Sequence, residues 1–261
     1  SVMTLLLFLS VYLFLNKRTV FSSLFYALAF LVKPQSLFLA PLFFLLMRQN
    51  TKRSYLKFGL IFLSTVLVLS SPFFLEDPLL GIWKMIIQMG KDYPYTTLST
   101  FNFWYLFGNF QSDRALVLGI PQYFWGLGIF LFFEFLIILR VFSKKNFLKK
   151  EGNIFLLASL LLLNFYLFPT RIHERYLFPF FAFFVITAFS WQFLKLRLLY
   201  VFLSFIHFAN LYYVYCSYQS NFLRVDFFSN LISFLSPVFS LSTITIFGYL
   251  LYLFWQGDVP K

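Results

Sequence analysis

Charged side chains are scarce in this sequence. Asp, Glu, Lys and Arg make up 11% of its 261 residues, against 61% hydrophobic, where a soluble domain carries about 25% charged residues. That shortage excludes a soluble fold, whose surface could not be covered, and the mean hydropathy of +0.80 agrees. A single cysteine, Cys216, excludes an internal disulfide and any cysteine-based metal centre. Two histidines on separate apolar runs, without a His-Glu-x-x-His spacing, give no pattern for a histidine metal site. Acids are scarce too, 9 against 21 basic residues.

The formal net charge of +12 would suit a nucleic-acid partner only if it formed a patch. Instead the basic residues fall in short loops between apolar runs: Lys17-Arg18, residues 48–57, residues 140–150, and Lys195 with Arg197. This is the bias that orients a polytopic membrane protein with those loops in the cytoplasm. Contact with anionic membrane lipids accounts for nearly all of it, so no nucleic-acid partner is expected.

Apolar runs of about 20 residues predict membrane-crossing helices. The chain starts at Ser1 and is apolar by Val2, with neither a charged leader nor a cleavage pattern. Residues 2–15 read as the tail of a span cut by a boundary. Residues 19–32 and 36–47 form a short pair, out and back, around the turn Lys33-Pro34-Gln35, whose tip faces away from the cytoplasm. Further runs cover 58–75, 121–142, 154–168, 176–191, 198–215 and 231–255, before a tail ending at Lys261. The expectation is an all-α polytopic membrane protein, one transmembrane domain over 1–261, with about nine transmembrane helices. Glu76, Asp77, Asp92, Asp113, Glu174 and Asp226 then lie outside.

The long outer segment, 76–120, carries Leu79, Ile82, Trp83, Ile86 and Met89 at helical spacing, with Lys84 and Gln88 opposite. This predicts an amphipathic helix flat on the outer interface. A loop rich in aromatic and hydrogen-bonding groups follows, with Tyr93, Tyr95, Asn102 and Trp104.

The segment Pro169-Thr170-Arg171-Ile172-His173-Glu174-Arg175-Tyr176 packs four ionisable side chains between two apolar runs. Charges within a span cost about 2.5–3.5 kcal/mol each at its centre on insertion scales, so such a cluster marks a site or an anchor. Arg171 and Arg175, four apart, face the same way on a helical turn. Arginine's planar fork suits phosphate, and His173 adds a donor when protonated. In the competing reading the segment is an interfacial anchor, with Glu174 paired to an arginine and Tyr176 in the aromatic belt.

Lys33-Pro34-Gln35 is open in the same way, as a broken-helix binding turn or as a proline breaker beside a snorkelling lysine. Asp92 and Asp113 have the chemistry of a general base, although solvation in a loop explains each. Asn102 and Trp104 could hold a sugar or sit at the interface. Within the spans, Glu134 is expected to face the bundle interior. Ser204, His207 and Asn210 are expected to form an interhelical hydrogen-bond seam.

Three stretches occur in order: Ala29-Phe30-Leu31-Val32-Lys33-Pro34-Gln35-Ser36 through Pro41, then Tyr93-Pro94-Tyr95-Thr96 with Phe101-Asn102-Phe103-Trp104, then Arg171-Ile172-His173-Glu174-Arg175-Tyr176-Leu177-Phe178-Pro179. Together they resemble the prokaryotic membrane glycosyltransferases of the GT-C class, in particular the mannosyltransferase group related to the glycosylphosphatidylinositol mannosyltransferase (PIG-V-like). The likeness covers roughly residues 20–190. It implies transfer of a hexose such as mannose from a polyprenyl-phosphate carrier to a glycan, lipid or protein acceptor on the outer face of a bacterial inner membrane.

By that resemblance Arg171, His173, Glu174, Arg175, Lys33 and Gln35 belong to the donor-phosphate site. Tyr93, Tyr95, Asn102 and Trp104 belong to the acceptor side. The class places its catalytic base in an outer loop after the first span. That position lies upstream of Ser1, so neither Asp92 nor Asp113 inherits the role, and the stretch given is expected to be inactive alone. Some members need a divalent metal, and no residues here identify a site for one; no other cofactor is implied. Competing readings are a transporter or flippase of lipid-linked sugars, a polymerase or ligase of surface glycans, and a non-catalytic scaffold.

Overall fold

The computed structural model describes residues 1–48, 52–75, 77–144, 147–191, 193–218 and 225–257; Glu76, Lys145 and Lys261, used above in reading the topology, lie outside them. The chain is nearly all helical and divides into two compact units, Ser1–Tyr93 and Pro94–Lys261.

In the first unit α1 (Val2–Leu15) and α2 (Thr19–Val32) pair closely, because small residues line their seam. The Ser10 hydroxyl donates to the Ser22 carbonyl at 2.7 Å, and Ser23 donates to the Phe58 carbonyl of α4 (Lys52–Ser70) at 2.6 Å. Such bonds satisfy hydroxyls that neither lipid nor an apolar core could satisfy. Lys33 is extended (φ −154°, ψ 117°), as a residue before proline must be. The chain then re-enters as a 3-10 turn, Pro34–Leu39, and α3 (Ala40–Met47). Tyr26 pins this bend by donating to the Ser36 carbonyl at 3.2 Å.

The predicted amphipathic helix is present as α5 (Pro78–Met89), capped by Asp77 and started by Pro78. Its apolar stripe is divided. Ile82 and Ile86 pack on Ala27, Phe30 and Val66, whereas Leu79, Trp83 and Met89 face outward.

The second unit is built around α7 (Glu151–Leu167), whose residues from Gly152 to Leu167 are all buried. A helix apolar on every side needs neighbours on every side. α6 (Gln122–Ser143), α8 (Phe178–Ser190) and α10 (Asp226–Gln256) supply them, and α9 (Leu194–Tyr218) packs against α8 and α10. Glu134 of α6 faces inward as expected and accepts from Asn164 Nδ2 at 3.0 Å. At the other end of α6, Arg140 donates to the Phe254 carbonyl at 3.3 Å and lies over the Phe147 and Trp255 rings. There a cation meets the negative end of α10, so this basic residue has a structural role.

The expected polar seam on α9 holds at one residue. Asn210 accepts from the Tyr166 hydroxyl at 3.3 Å, but Ser204 bonds back to Tyr200 within its own helix. His207 is buried between Phe178 and Phe181, and neither ring nitrogen has a hydrogen-bond partner among the described residues.

Among the described residues three helices are long and apolar enough to cross a membrane: α6, α9 over Leu194–Ser217, and α10. The remaining apolar helices are shorter, such as Val2–Leu15, Thr19–Val32 and the 17-residue α7.

Candidate functional site

The cluster at 171–176 sits in the second unit, between α7 and α8, and does not form one helical turn. Arg171 has left-handed backbone (φ 66°), Ile172–His173 is a short strand, and Glu174–Leu177 is a 3-10 turn. The expectation that Arg171 and Arg175 share a helical face is therefore corrected. A strand partner holds the intervening residues extended, so the two arginines leave the backbone in different settings.

That partner comes from the aromatic loop that opens the second unit. A strand β1 (Thr97–Leu98) pairs in parallel with β4 (Ile172–His173), Thr97 opposite Ile172 and Leu98 opposite His173; β2 (Leu116–Val117) and β3 (Ile120–Pro121) lie between them in sequence. Around this two-residue ladder the loop holds the cluster by further bonds. The Arg171 amide donates to the Tyr95 carbonyl at 3.0 Å, and the Thr100 hydroxyl donates to the Ile172 carbonyl at 2.7 Å. Below them, Asn210 donates to the Ser99 carbonyl at 2.6 Å and accepts from the Phe101 amide at 3.2 Å. The Phe101 ring is buried among Ile206, Ala209 and Phe239. The loop is thus anchored in the helix bundle and carries the charged segment.

Asn102 and Trp104 belong to this anchoring. Asn102 is buried, and its side-chain oxygen caps the following 3-10 turn by accepting from the amides of Trp104 and Tyr105. The Trp104 ring is buried, and its Nε1 donates to the Phe168 carbonyl at 2.6 Å. Gly126 of α6 makes this approach possible, since a Cβ there would lie 2.9 Å from the Phe168 oxygen. A sugar could stack on Trp104 only after the loop had opened. Tyr95, by contrast, is exposed, with its ring edge-on to Phe110 at 5.5 Å. Tyr93 is exposed too, and it closes the first unit.

Asp113 is the residue whose role the sequence hid. As a loop acid it reads as solvated, yet it has no exposed surface. Its Oδ2 accepts from Arg171 Nε at 2.5 Å, with the Thr170 hydroxyl 3.4 Å away. The amide and carbonyl of Asp113 bond to Pro94 and Tyr123. Its Oδ1 has no partner among the described residues. A carboxylate removed from water needs such a cation, and the left-handed kink at Arg171 accompanies the contact. No sequence signal joins residues 58 apart; the only hint is that Asp113 is the one acid between Asp92 and Glu134.

The remaining cluster residues are more open. The Glu174 carboxylate is nearly buried, and Arg175, about half exposed, approaches it at 3.8 Å, beyond hydrogen-bonding distance. The His173 ring is half-buried and packs edge-on against Tyr176 at 5.4 Å. Of the other predicted donor-site residues, Lys33 and Gln35 lie in the first unit, each half-buried on the Pro34 bend. Asp92, the other candidate base, accepts from Gln88 in that unit at 3.2 Å. Among the described residues no group of three or more His, Cys, Asp or Glu side chains comes together as metal ligands.

The second unit therefore presents a charged segment, Arg171 to Arg175, clamped between an aromatic loop and the ends of two apolar helices. Chemically this arrangement can hold an anion through Arg175 and His173 while Arg171 and Asp113 fix the backbone beneath. No protein-family model matches the chain, and no curated protein or solved structure matches it.

Proposed function

We propose that the chain is part of an integral membrane glycosyltransferase of the GT-C kind, moving a hexose from a polyprenyl-phosphate donor to an acceptor on the extracytoplasmic face. The observation that carries the reading is the half-exposed guanidinium of Arg175, in the turn between two apolar helices. A carrier of this type has an apolar tail and an anionic head, and the junction of apolar helices with a cationic turn matches that chemistry. The phosphate is also the leaving group. A cation held against it stabilises the charge that develops as the glycosidic bond breaks.

In this reading about nine helices cross a bacterial inner membrane, the basic loops face the cytoplasm, and α5 rests on the outer interface. Tyr95, in the same unit as Arg175, borders the acceptor. Asn102 and Trp104 act from beneath, by holding the loop that carries Tyr95. The residue that activates the acceptor is not assigned.

The test is sugar release from radiolabelled polyprenyl-phosphate hexoses by the protein reconstituted in vesicles, with and without acceptor. Arg175→Ala is expected to abolish transfer while the protein still inserts and melts normally. Undiminished transfer by that variant would remove the proposal. Movement of intact donor across the bilayer, without bond cleavage, would replace it with a flippase.

A further inference from the structure

The second unit carries a small hairpin that the proposed chemistry does not use. Strands β2 (Leu116–Val117) and β3 (Ile120–Pro121) pair antiparallel, Val117 opposite Ile120. Leu118 and Gly119 join them, both with left-handed backbone (φ 52° and 77°), so the connection is a two-residue type I′ turn. Such turns take Asn, Asp or Gly at both central positions. Here the first is leucine, in a conformation whose Cβ crowds the following carbonyl, and it is 87% exposed. Leu116, Val117 and Ile120 are exposed as well. Four apolar side chains thus crown a turn whose local geometry would be easier to build from polar residues.

The position of the hairpin says what covers it. Its second strand runs straight into α6, and Trp125, in the first turn of that helix, donates from Nε1 to the Val117 carbonyl at 3.0 Å. The hairpin therefore lies beside the first turn of α6 and does not stand off above it. α6 has 22 residues, a length of about 33 Å, against a hydrocarbon core of about 30 Å. With a helix so nearly matched to the core, its first turn lies at the hydrocarbon boundary, and so does Val117. The exposed Phe124 and Leu127 continue the apolar surface along α6.

We infer that the β2–β3 hairpin seats Leu116, Val117, Leu118 and Ile120 in the membrane boundary beside the N-terminus of α6, with lipid as the partner of this face. The inference depends on α6 crossing the bilayer and is independent of the proposed sugar chemistry. Burial of apolar side chains in the acyl region offsets the strain at Leu118. The hairpin thereby ties the outer loop, with Asp113 at its base, to the depth of the membrane surface.

The test is a spin label at Leu118→Cys in a Cys216→Ala background, in vesicles of phosphatidylcholine and phosphatidylglycerol. Collision with oxygen is compared with collision with a water-soluble nickel chelate. Phe132→Cys, exposed near the middle of α6, is the hydrocarbon reference, and Lys150→Cys, exposed between α6 and α7, is the water reference. The expected oxygen-to-nickel ratio at position 118 is several-fold above that at 150 and below that at 132. A ratio no higher than at 150 places the tip in water and overturns the inference. Suppressed collision with both reagents means that protein covers the tip, and overturns it as well. Leu116→Cys, on the neighbouring strand, must give the same ordering and serves if the Leu118 variant fails to insert.

Discussion

At one end of the charged segment, Arg171 donates from Nε to a carboxylate with no exposed surface; at the other, Arg175 stands half in solvent, 3.8 Å from Glu174. The two side chains are chemically identical and four residues apart, yet their surroundings assign them different work. Arg171 neutralises Asp113 and joins the 94–113 loop to the end of α7, so turning it toward a ligand would strand a buried charge. Arg175 makes no hydrogen bond to Glu174 and stands half in solvent, so it can reorient at less expense. A cluster of cations in sequence is therefore not a set of equivalent ligands: both partner acids are buried, and it is the direct hydrogen bond to the acid, made by Arg171 and not by Arg175, that separates the scaffold from the binding group.

The sharpest way to break this comparison is to remove each arginine in turn and measure thermal unfolding in detergent. Arg171→Ala leaves Asp113 buried without its cation, and breaking a buried pair from one side costs about 3–5 kcal/mol. The expected result is a large fall in melting temperature or failure to accumulate folded protein. An Arg171→Ala variant that melts like the parent would mean that Asp113 is not held as a charge, and the distinction would fall.

Trp104→Phe probes the same scaffold from its other side. It keeps an aromatic ring in place but takes the indole donor from the Phe168 carbonyl, 2.6 Å away. A buried acceptor left without a partner costs about 1–3 kcal/mol, so the fall in melting temperature should lie below that of Arg171→Ala. If the change equals that of an exposed aromatic such as Trp83→Phe, the loop is held by packing alone.

The sequence reveals the scaffold and the binding group unequally. Helices follow from long apolar runs: residues 2–15 and 19–32 are read at the bounds that α1 and α2 take. Loop chemistry also marks the turn at Lys33 and the start of α5. The cluster at 171–176 is legible because charge between apolar runs is conspicuous. Its internal geometry is not, because helical spacing assumes a helix, and β1 and β4 are two-residue strands too short to show a period. The Asp113–Arg171 pair is hidden for the same physical reason: contacts made by folding a loop back across 58 residues leave no local pattern. Trp104 misleads in the opposite direction. Aromatic and amide groups in a loop look like a sugar site, whereas burial and the Phe168 bond make them part of the foundation.

The smallest expected stability effect belongs to Arg175→Ala, and it makes the comparison most specific. Arg175 is half exposed, and with 3.8 Å between Nη1 and Oε1 no hydrogen bond to the nearly buried Glu174 carboxylate is lost, so its removal should cost about 1 kcal/mol, the upper end for a solvent-open pair. The melting temperature should stay close to the parent's, far from that of Arg171→Ala. Binding of farnesyl phosphate, a short polyprenyl phosphate, should respond in the reverse order. A charge-assisted bond to phosphate contributes about 1.5–3 kcal/mol, which corresponds to a loss of roughly 10–150-fold in affinity, and titration of the purified protein would detect it. If Arg175→Ala binds the probe as the parent does, the open end of the segment is an anchor and both arginines serve the fold. If it unfolds as readily as Arg171→Ala, the 3.8 Å contact is a structural pair, and the solvent exposure of Arg175 does not mark a ligand.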